Sequence, residues 1–94
     1  MGSLKAKKTS GPRRGISEES FYFNDFKRFA EKLKKRIITL RKEKGLTQEQ
    51  IQDFELNLRQ LQRIEAGETS NVTLATLYKL AKAFEISPSK LIDI

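Results

Sequence analysis

The chain has 94 residues and a net charge of +7, and it contains neither cysteine nor histidine. These absences exclude disulfides, thiolate or imidazole metal sites and histidine general bases, so we expect no metal site, no catalytic residues, no cofactor and no enzymatic activity. No apolar run approaches the roughly 20 residues of a membrane span and the N-terminus lacks an apolar secretory core, so we expect a cytoplasmic protein without a membrane partner.

The positive charge is concentrated at the N-terminus. Residues 1–15 contain five lysine and arginine residues and no acidic residue, whereas residues 16–94 contain fourteen basic and twelve acidic residues. A segment this basic and this poor in apolar residues cannot bury a core, so we predict that residues 1–15 are a disordered basic arm or a remnant of cloning. Residues 16–94 are predicted to form one domain, in which the position of each charge matters more than the sum.

Apolar residues recur at spacings of three and four after residue 16 and predict a long first helix. Its N-cap is expected at Ser17, and its end at about Lys44, before Gly45. The predicted apolar stripe comprises Phe26, Ala30, Leu33, Ile37 and Leu40.

Aromatic residues cluster at the start of this helix, at Phe21, Tyr22, Phe23 and Phe29. One interpretation is that they cover the core of their own chain. The other is that they pack against a second subunit or a different protein, because a large exposed apolar patch is otherwise costly. In the second interpretation Phe21, Tyr22 and Phe23 are the candidate contact residues.

The segment from Gly45 to Gly67 predicts two short capped helices joined by a tight turn. Thr47 can cap the first helix, with Gln50 completing a capping box, and Asn57 can cap the second. Gly67 stands where a left-handed C-terminal cap is expected. The second helix is therefore predicted to be fixed at both ends.

Helical periodicity divides this second helix into two faces. Leu61 and Ile64 share the inward face, whereas Arg59, Gln62 and Arg63 point outward. Arginine pairs with two acceptors of guanine and glutamine with adenine, and a major groove admits a helix that carries them. The alternative is an ordinary solvated face, although the N-terminus of the preceding helix, at Thr47 and Gln48, can also hold a phosphate.

Two further helices are predicted before the C-terminus. Thr73 caps the first, and Ser87 caps the second with Pro88 at its first position. The inward face of the first comprises Leu74, Leu77, Leu80, Ala81 and Phe84. The apolar residues Leu91, Ile92 and Ile94 are candidates for a dimer interface or for closing the core of their own chain.

Three segments, LRKEKGLTQEQI, QRIEAG and TLYKLAKAFEISPSKL, resemble the Cro/Xre type of helix-turn-helix domain, the lambda-repressor-like family, over roughly residues 32–92. The resemblance implies an all-α, five-helix domain, here with a lengthened first helix. It also implies a sequence-specific transcriptional regulator that binds double-stranded DNA as a homodimer on a palindromic operator.

The same resemblance assigns roles to individual residues. It implies that Gln48 contacts a phosphate, that Gln60 lies near the DNA backbone and that Arg41 and Glu65 form a structural ion pair. The implied base-facing residues are Leu58, Arg59, Gln62 and Arg63.

The chain departs from the family pattern in two places. The turn from Phe54 to Asn57 lacks the usual glycine and is one residue shorter than the commonest form, which predicts a shifted angle of the recognition helix. The loop from Glu68 to Asn71 has no lysine or arginine, so Asn71 is expected to donate a hydrogen bond to a phosphate without the attraction of a charge.

A second functional hypothesis is a protein-interaction module, such as an antitoxin that also represses its own operon. In that case the region from Phe21 to Phe29 would bind the partner protein. The sequence pattern leaves both hypotheses open.

Overall fold

The computed structural model describes residues 16–69 and 72–94. Within these ranges it contains five helices and no strand, which confirms the predicted all-α fold class. In chain order they are α1 (Phe23–Glu43), a 3-10 helix (Glu49–Phe54), α2 (Leu58–Glu65), α3 (Leu74–Ala83) and α4 (Pro88–Leu91). None of these helices is long and apolar enough to cross a membrane. The predicted basic arm and Asn71 lie outside the described residues.

The first helix is long, as predicted, but it begins later than Ser17. Its first residue is Phe23, and the N-cap residue Tyr22 makes no side-chain capping hydrogen bond. The preceding residues form turns instead, because the Ser20 amide donates to the Ser17 carbonyl at 2.9 Å and the Tyr22 amide donates to Ser20 Oγ at 3.0 Å. The capping prediction for Ser17 is therefore wrong, since local turn bonds occupy the polar groups that a helix start would need.

The end of α1 follows the prediction. Gly45 has a φ of +70°, the Leu46 amide donates to the Arg41 carbonyl at 3.1 Å, and the Gly45 amide donates to the Lys42 carbonyl at 3.0 Å. This pair of bonds is the Schellman arrangement that ends a helix at a left-handed glycine. It turns the chain toward the 3-10 helix.

Every helix contributes to one apolar core. The largest fully buried side chains are Ile37, Ile51, Ile64, Leu80, Phe84 and Leu91. They come from α1, the 3-10 helix, α2, α3 with its C-cap, and α4 in turn. The predicted stripe of α1 is buried at Ala30, Leu33, Ile37 and Leu40. A core shared in this way means that no helix is held by its own hydrogen bonds alone.

Leu74 is an exception to the predicted inward face of α3. Its side chain is 82% exposed, whereas Thr76 in the same first turn is buried. At about 100° per residue, Leu74 lies about 120° around the helix from Leu80, which is at the centre of the buried face. The prediction for Leu74 is therefore wrong, because the apolar periodicity does not extend to the first turn.

Polar contacts tie α1 to the C-terminal half of the domain. Arg36 Nη2 donates to the Lys90 carbonyl at 2.9 Å, and Lys44 Nζ donates to Glu85 Oε1 at 2.8 Å. The Lys44 ammonium, through this hydrogen bond and its charge, lowers the pKa of the Glu85 carboxyl below its ordinary value. Both contacts join α1 to the segment around α4.

The first helix of the predicted helix-turn-helix pair is a 3-10 helix, and it ends in a strained residue. Its C-cap Glu55 has a φ of 64°, in the left-handed region. The Glu55 carbonyl accepts a hydrogen bond from Lys79 Nζ at 3.1 Å. A residue with a Cβ atom pays a steric cost in this conformation, which glycine avoids.

We expect Glu55→Gly to raise the free energy of unfolding by about 0.5–1 kcal/mol, because relief of the steric cost exceeds the greater freedom that glycine gives the unfolded chain. Urea denaturation measures the change. Glu55→Ala is the matched control, since it removes the same carboxylate but keeps the Cβ atom. An equal gain in both variants would contradict the prediction and assign the effect to charge.

Candidate nucleic-acid interface

The helix α2 is anchored at both ends. Asn57 Oδ1 accepts the Gln60 amide at 3.0 Å, and Gly67 has a φ of +102° where the chain leaves the helix. The Glu68 amide donates back to the Arg63 carbonyl at 2.8 Å. Leu61 and Ile64 are buried in the core. The direction of the opposite face is therefore set by capping and packing together.

The outer face of α2 carries Arg59, Gln62 and Arg63, all exposed. None of these side chains forms a hydrogen bond or an ion pair with another residue in the described part of the chain. The two guanidinium groups are four residues apart, one helical turn, and each keeps its full set of donors. This arrangement can present two guanidinium groups, each with paired N–H donors, to acceptors that lie along a groove of a binding partner.

The other two residues assigned to this helix are more restricted. Leu58 is half-buried at the first turn. Gln60 is also half-buried, and its Oε1 accepts a long hydrogen bond from Thr76 Oγ1 at 3.4 Å. Gln60 is thus tied to the start of α3, while its amide nitrogen stays available as a donor.

The N-terminus of the 3-10 helix forms a reciprocal capping box. The Gln50 amide donates to Thr47 Oγ1 at 3.1 Å, and the Thr47 amide donates to Gln50 Oε1 at 2.8 Å. Because the Thr47 hydroxyl acts as an acceptor in this box, its own proton remains free to be donated. The box fixes the orientation of Thr47, which is exposed just before the 3-10 helix.

A buried polar network joins α1, the 3-10 helix and α2. Arg41 Nε donates to Glu65 Oε2 at 2.7 Å and Arg41 Nη2 donates to Glu65 Oε1 at 3.0 Å. The two side chains are only 11% and 8% exposed. Arg41 Nη1 also donates to the Leu46 carbonyl at 2.8 Å. Such a bidentate pair fixes distance and orientation together.

Gln48 belongs to the same network, which sequence reasoning missed. Its Nε2 donates to Glu65 Oε1 at 2.9 Å. One of its two amide protons is therefore used inside the chain, and the second remains available to an external acceptor. Gln48 precedes the 3-10 helix as its N-cap and Glu65 ends α2, so no local pattern signals their contact.

The three apolar residues proposed near the C-terminus separate into two groups. Leu91 is completely buried, so it closes the core of its own chain and presents no surface to a second copy, which corrects its assignment to an interface. Ile92 and Ile94 are exposed by 43% and 37%. They remain available on the surface.

The aromatic cluster at the start of α1 is largely uncovered. Phe21 and Tyr22 are 64% and 58% exposed, and Phe29 is also exposed. Phe23 is half-buried. The first two residues therefore do not cover the core of their own chain.

A family model described as helix-turn-helix matches residues 37–91, which is more than half of the chain. The chain belongs to the Cro/Xre-type helix-turn-helix family. The match indicates a DNA-binding regulator. Comparisons with curated proteins and with solved structures give no match.

We expect Arg41→Met to lower the free energy of unfolding by about 3 kcal/mol, because it leaves the Glu65 carboxylate buried without its cation. Thermal and urea denaturation measure the loss. The double variant Arg41→Met with Glu65→Met removes both charges and is expected to recover most of it. A single variant within about 0.5 kcal/mol of the parent would show that the pair does not hold α2.

Proposed function

We propose that this regulator binds specific DNA sequences as a homodimer and controls transcription by occupying a palindromic operator. The observation that carries the proposal is the outer face of α2, where Arg59 and Arg63 have no partner among the described residues. Arginine is costly to immobilise on a protein surface unless it gains bidentate bonds, and guanine O6 and N7 supply them in the major groove.

The positions of the neighbouring residues support a proposed role for each of them. Gln62 lies between the two arginines and can pair with adenine or with a bridging water. Leu58 offers an apolar contact, of the kind that a thymine methyl group accepts. The free protons of Thr47, Gln48 and Gln60 are donors for phosphate oxygens, which position the helix without reading sequence.

The homodimer is supported by apolar surface that the single chain leaves uncovered. Ile92 and Ile94 are exposed just after α4, next to Leu91 in the core. A second copy that covers this end would bring two recognition helices into one symmetric unit, which is the arrangement that reads an inverted repeat.

A second candidate function is protein binding through the start of α1, as in an antitoxin that also represses its own operon. The exposure of Phe21, Tyr22 and Phe29 supports this candidate. Protein binding at this site does not exclude DNA binding, because the aromatic residues lie at the start of α1 and the exposed arginines lie on α2. The exposed aromatic surface is the one observation that supports this candidate.

Selection of bound duplexes from a random DNA pool tests the proposed function. We expect an inverted repeat whose half-sites are about one helical turn apart, or roughly 34 Å. Failure to enrich any sequence would contradict sequence-specific binding.

On the selected site, Arg59→Ala is expected to cost about 1–3 kcal/mol in binding free energy and to relax the preference at one base pair. Arg59→Lys keeps the charge but loses the planar fork, so it should relax the same preference while binding unrelated duplexes normally. Fluorescence anisotropy on a set of single-base variants measures both effects. Equal weakening on every sequence would assign Arg59 to the DNA backbone instead.

The dimer interface is tested by placing one charge on each exposed apolar surface. We expect Ile92→Glu to convert the dimer to a monomer, because the carboxylate would be buried without a partner, whereas Phe21→Glu should leave the dimer intact. Sedimentation equilibrium over a concentration series measures the state. The reverse pattern would move the interface to the aromatic cluster, and a parent chain that is monomeric at every concentration would contradict the homodimer.

A further inference from the structure

The positive charge of the described domain lies on α1. This helix has eight basic and three acidic residues, a net charge of +5. Residues 45–94 have five basic and seven acidic residues, a net charge of −2. The half of the domain that contains α2 therefore repels a polyanion on average, and among the described helices the net attraction comes from α1.

The segment that follows α2 also lacks basic residues. From Glu68 to Asn71 the chain contains a carboxylate and no lysine or arginine. A helix about 10 Å wide nearly fills a major groove about 12 Å wide, so the residues at its ends meet the phosphates that border the groove. At this end the carboxylate of Glu68 opposes binding unless a cation from another helix lies nearby.

The N-terminal half of α1 lies beside Gly67 and Thr69, where the chain leaves α2. Phe23, Lys27 and Glu31 of α1 line a cleft of about 210 Å³ together with Gly67 and Thr69. Lys27 is exposed, and its Nζ lies 5.3 Å from the centre of the Phe23 ring. It forms no ion pair with any other described residue.

The helical geometry of α1 also places Lys27 near α2. Lys27 and Arg41 are fourteen residues apart and lie within about 40° of each other around the helix axis. Arg41 contacts Glu65 of α2. Lys27 therefore lies on the side of α1 that faces α2, near the end of the recognition helix.

The carboxylate in the same cleft is already compensated. Lys34 Nζ lies 3.6 Å from Glu31 Oε2 on the next turn of α1. Because Lys34 is matched to Glu31, Lys27 is the cation of this cleft that is left for a ligand.

We propose that Lys27 contacts a DNA phosphate beside the C-terminal end of α2 while α2 occupies the major groove. The lengthened α1 thus supplies the cation that the segment after α2 lacks. The match to the family model begins at residue 37, so this contact belongs to the part of α1 that precedes the family region. The inference rests on the proposed DNA-binding function and names one of its backbone contacts.

The test is the salt dependence of DNA binding by the full chain, measured on the selected duplex and on an unrelated duplex. Lys27→Gln is expected to reduce the slope of log affinity against log salt by about 1 per protomer. From about 50 to about 200 mM salt, the loss of affinity should then be smaller than in the parent by about 3.5- to 4-fold per protomer, or roughly 12- to 16-fold for a homodimer on one operator. The preference for the selected sequence over the unrelated one should not change, because a phosphate contact carries no sequence information.

Lys32→Gln is the matched control. It makes the same chemical change on the same helix, but residue 32 lies about 140° around the axis from Lys27. Lys32 is exposed and has no ion pair with a described residue. Its slope is expected to equal that of the parent.

A variant with the opposite expected effect on binding controls for a folding defect. Glu31→Gln removes the carboxylate of the cleft and should strengthen binding to both duplexes at low salt, which a damaged fold would not do.

Equal slope changes in Lys27→Gln and Lys32→Gln would overturn the contact and leave only a diffuse electrostatic attraction of α1 for DNA. An unchanged slope in Lys27→Gln, with specific binding intact, would also overturn it while the proposed function stands. Absence of binding by the parent chain would instead refute the function itself.

Discussion

The interface depends on the ion pair between Arg41 and Glu65. With eight residues, α2 is too short to be stable or to hold a direction by its own hydrogen bonds. Leu61 and Ile64 attach it to the core, but apolar contacts alone allow sliding and rotation. The bidentate bond from α1 removes that freedom because it fixes the plane of both groups. The Leu46 carbonyl and Gln48 complete the bonding that such a buried pair requires.

The same pair also determines which charges of α2 remain free. Glu65 is the only acidic residue of this helix, and both of its carboxylate oxygens are occupied by Arg41 and Gln48. It therefore cannot neutralise Arg59 or Arg63. The inward acid and the outward bases are separated on opposite faces, so one eight-residue helix carries a structural anion and two available cations at once.

The parts of the fold that sequence reasoning predicted are local. The caps at Thr47 and Asn57, the end of α1 at Gly45 and the inward positions Leu61 and Ile64 each depend on residues within about four positions. The hydrogen bond between Gln48 and Glu65 joins distant segments, as does the cleft that the start of α1 shares with Thr69, and neither has a periodic signal. The failures lie at helix ends, where turn bonds at Ser20 replaced the predicted cap and where Leu74 fell outside the buried face. The two faces of α2 follow from local periodicity, and the family resemblance implied the Arg41–Glu65 pair, but no sequence signal indicated the bonds from Gln48 and to the Leu46 carbonyl that complete the network.

The 3-10 winding lengthens the segment that precedes α2. A 3-10 helix rises about 2.0 Å per residue and an α-helix about 1.5 Å, so the six residues from Glu49 to Phe54 span about 3 Å more than they would as an α-helix. That is close to the length of one extended residue, about 3.3 Å. The tighter winding therefore gives this segment about the reach of one more extended residue. Glu55 then adopts the left-handed conformation that is easiest for glycine, Leu56 enters the core, and Asn57 caps α2. A left-handed glutamate and a side-chain cap thus form this turn without a glycine, and α2 is anchored from its first turn.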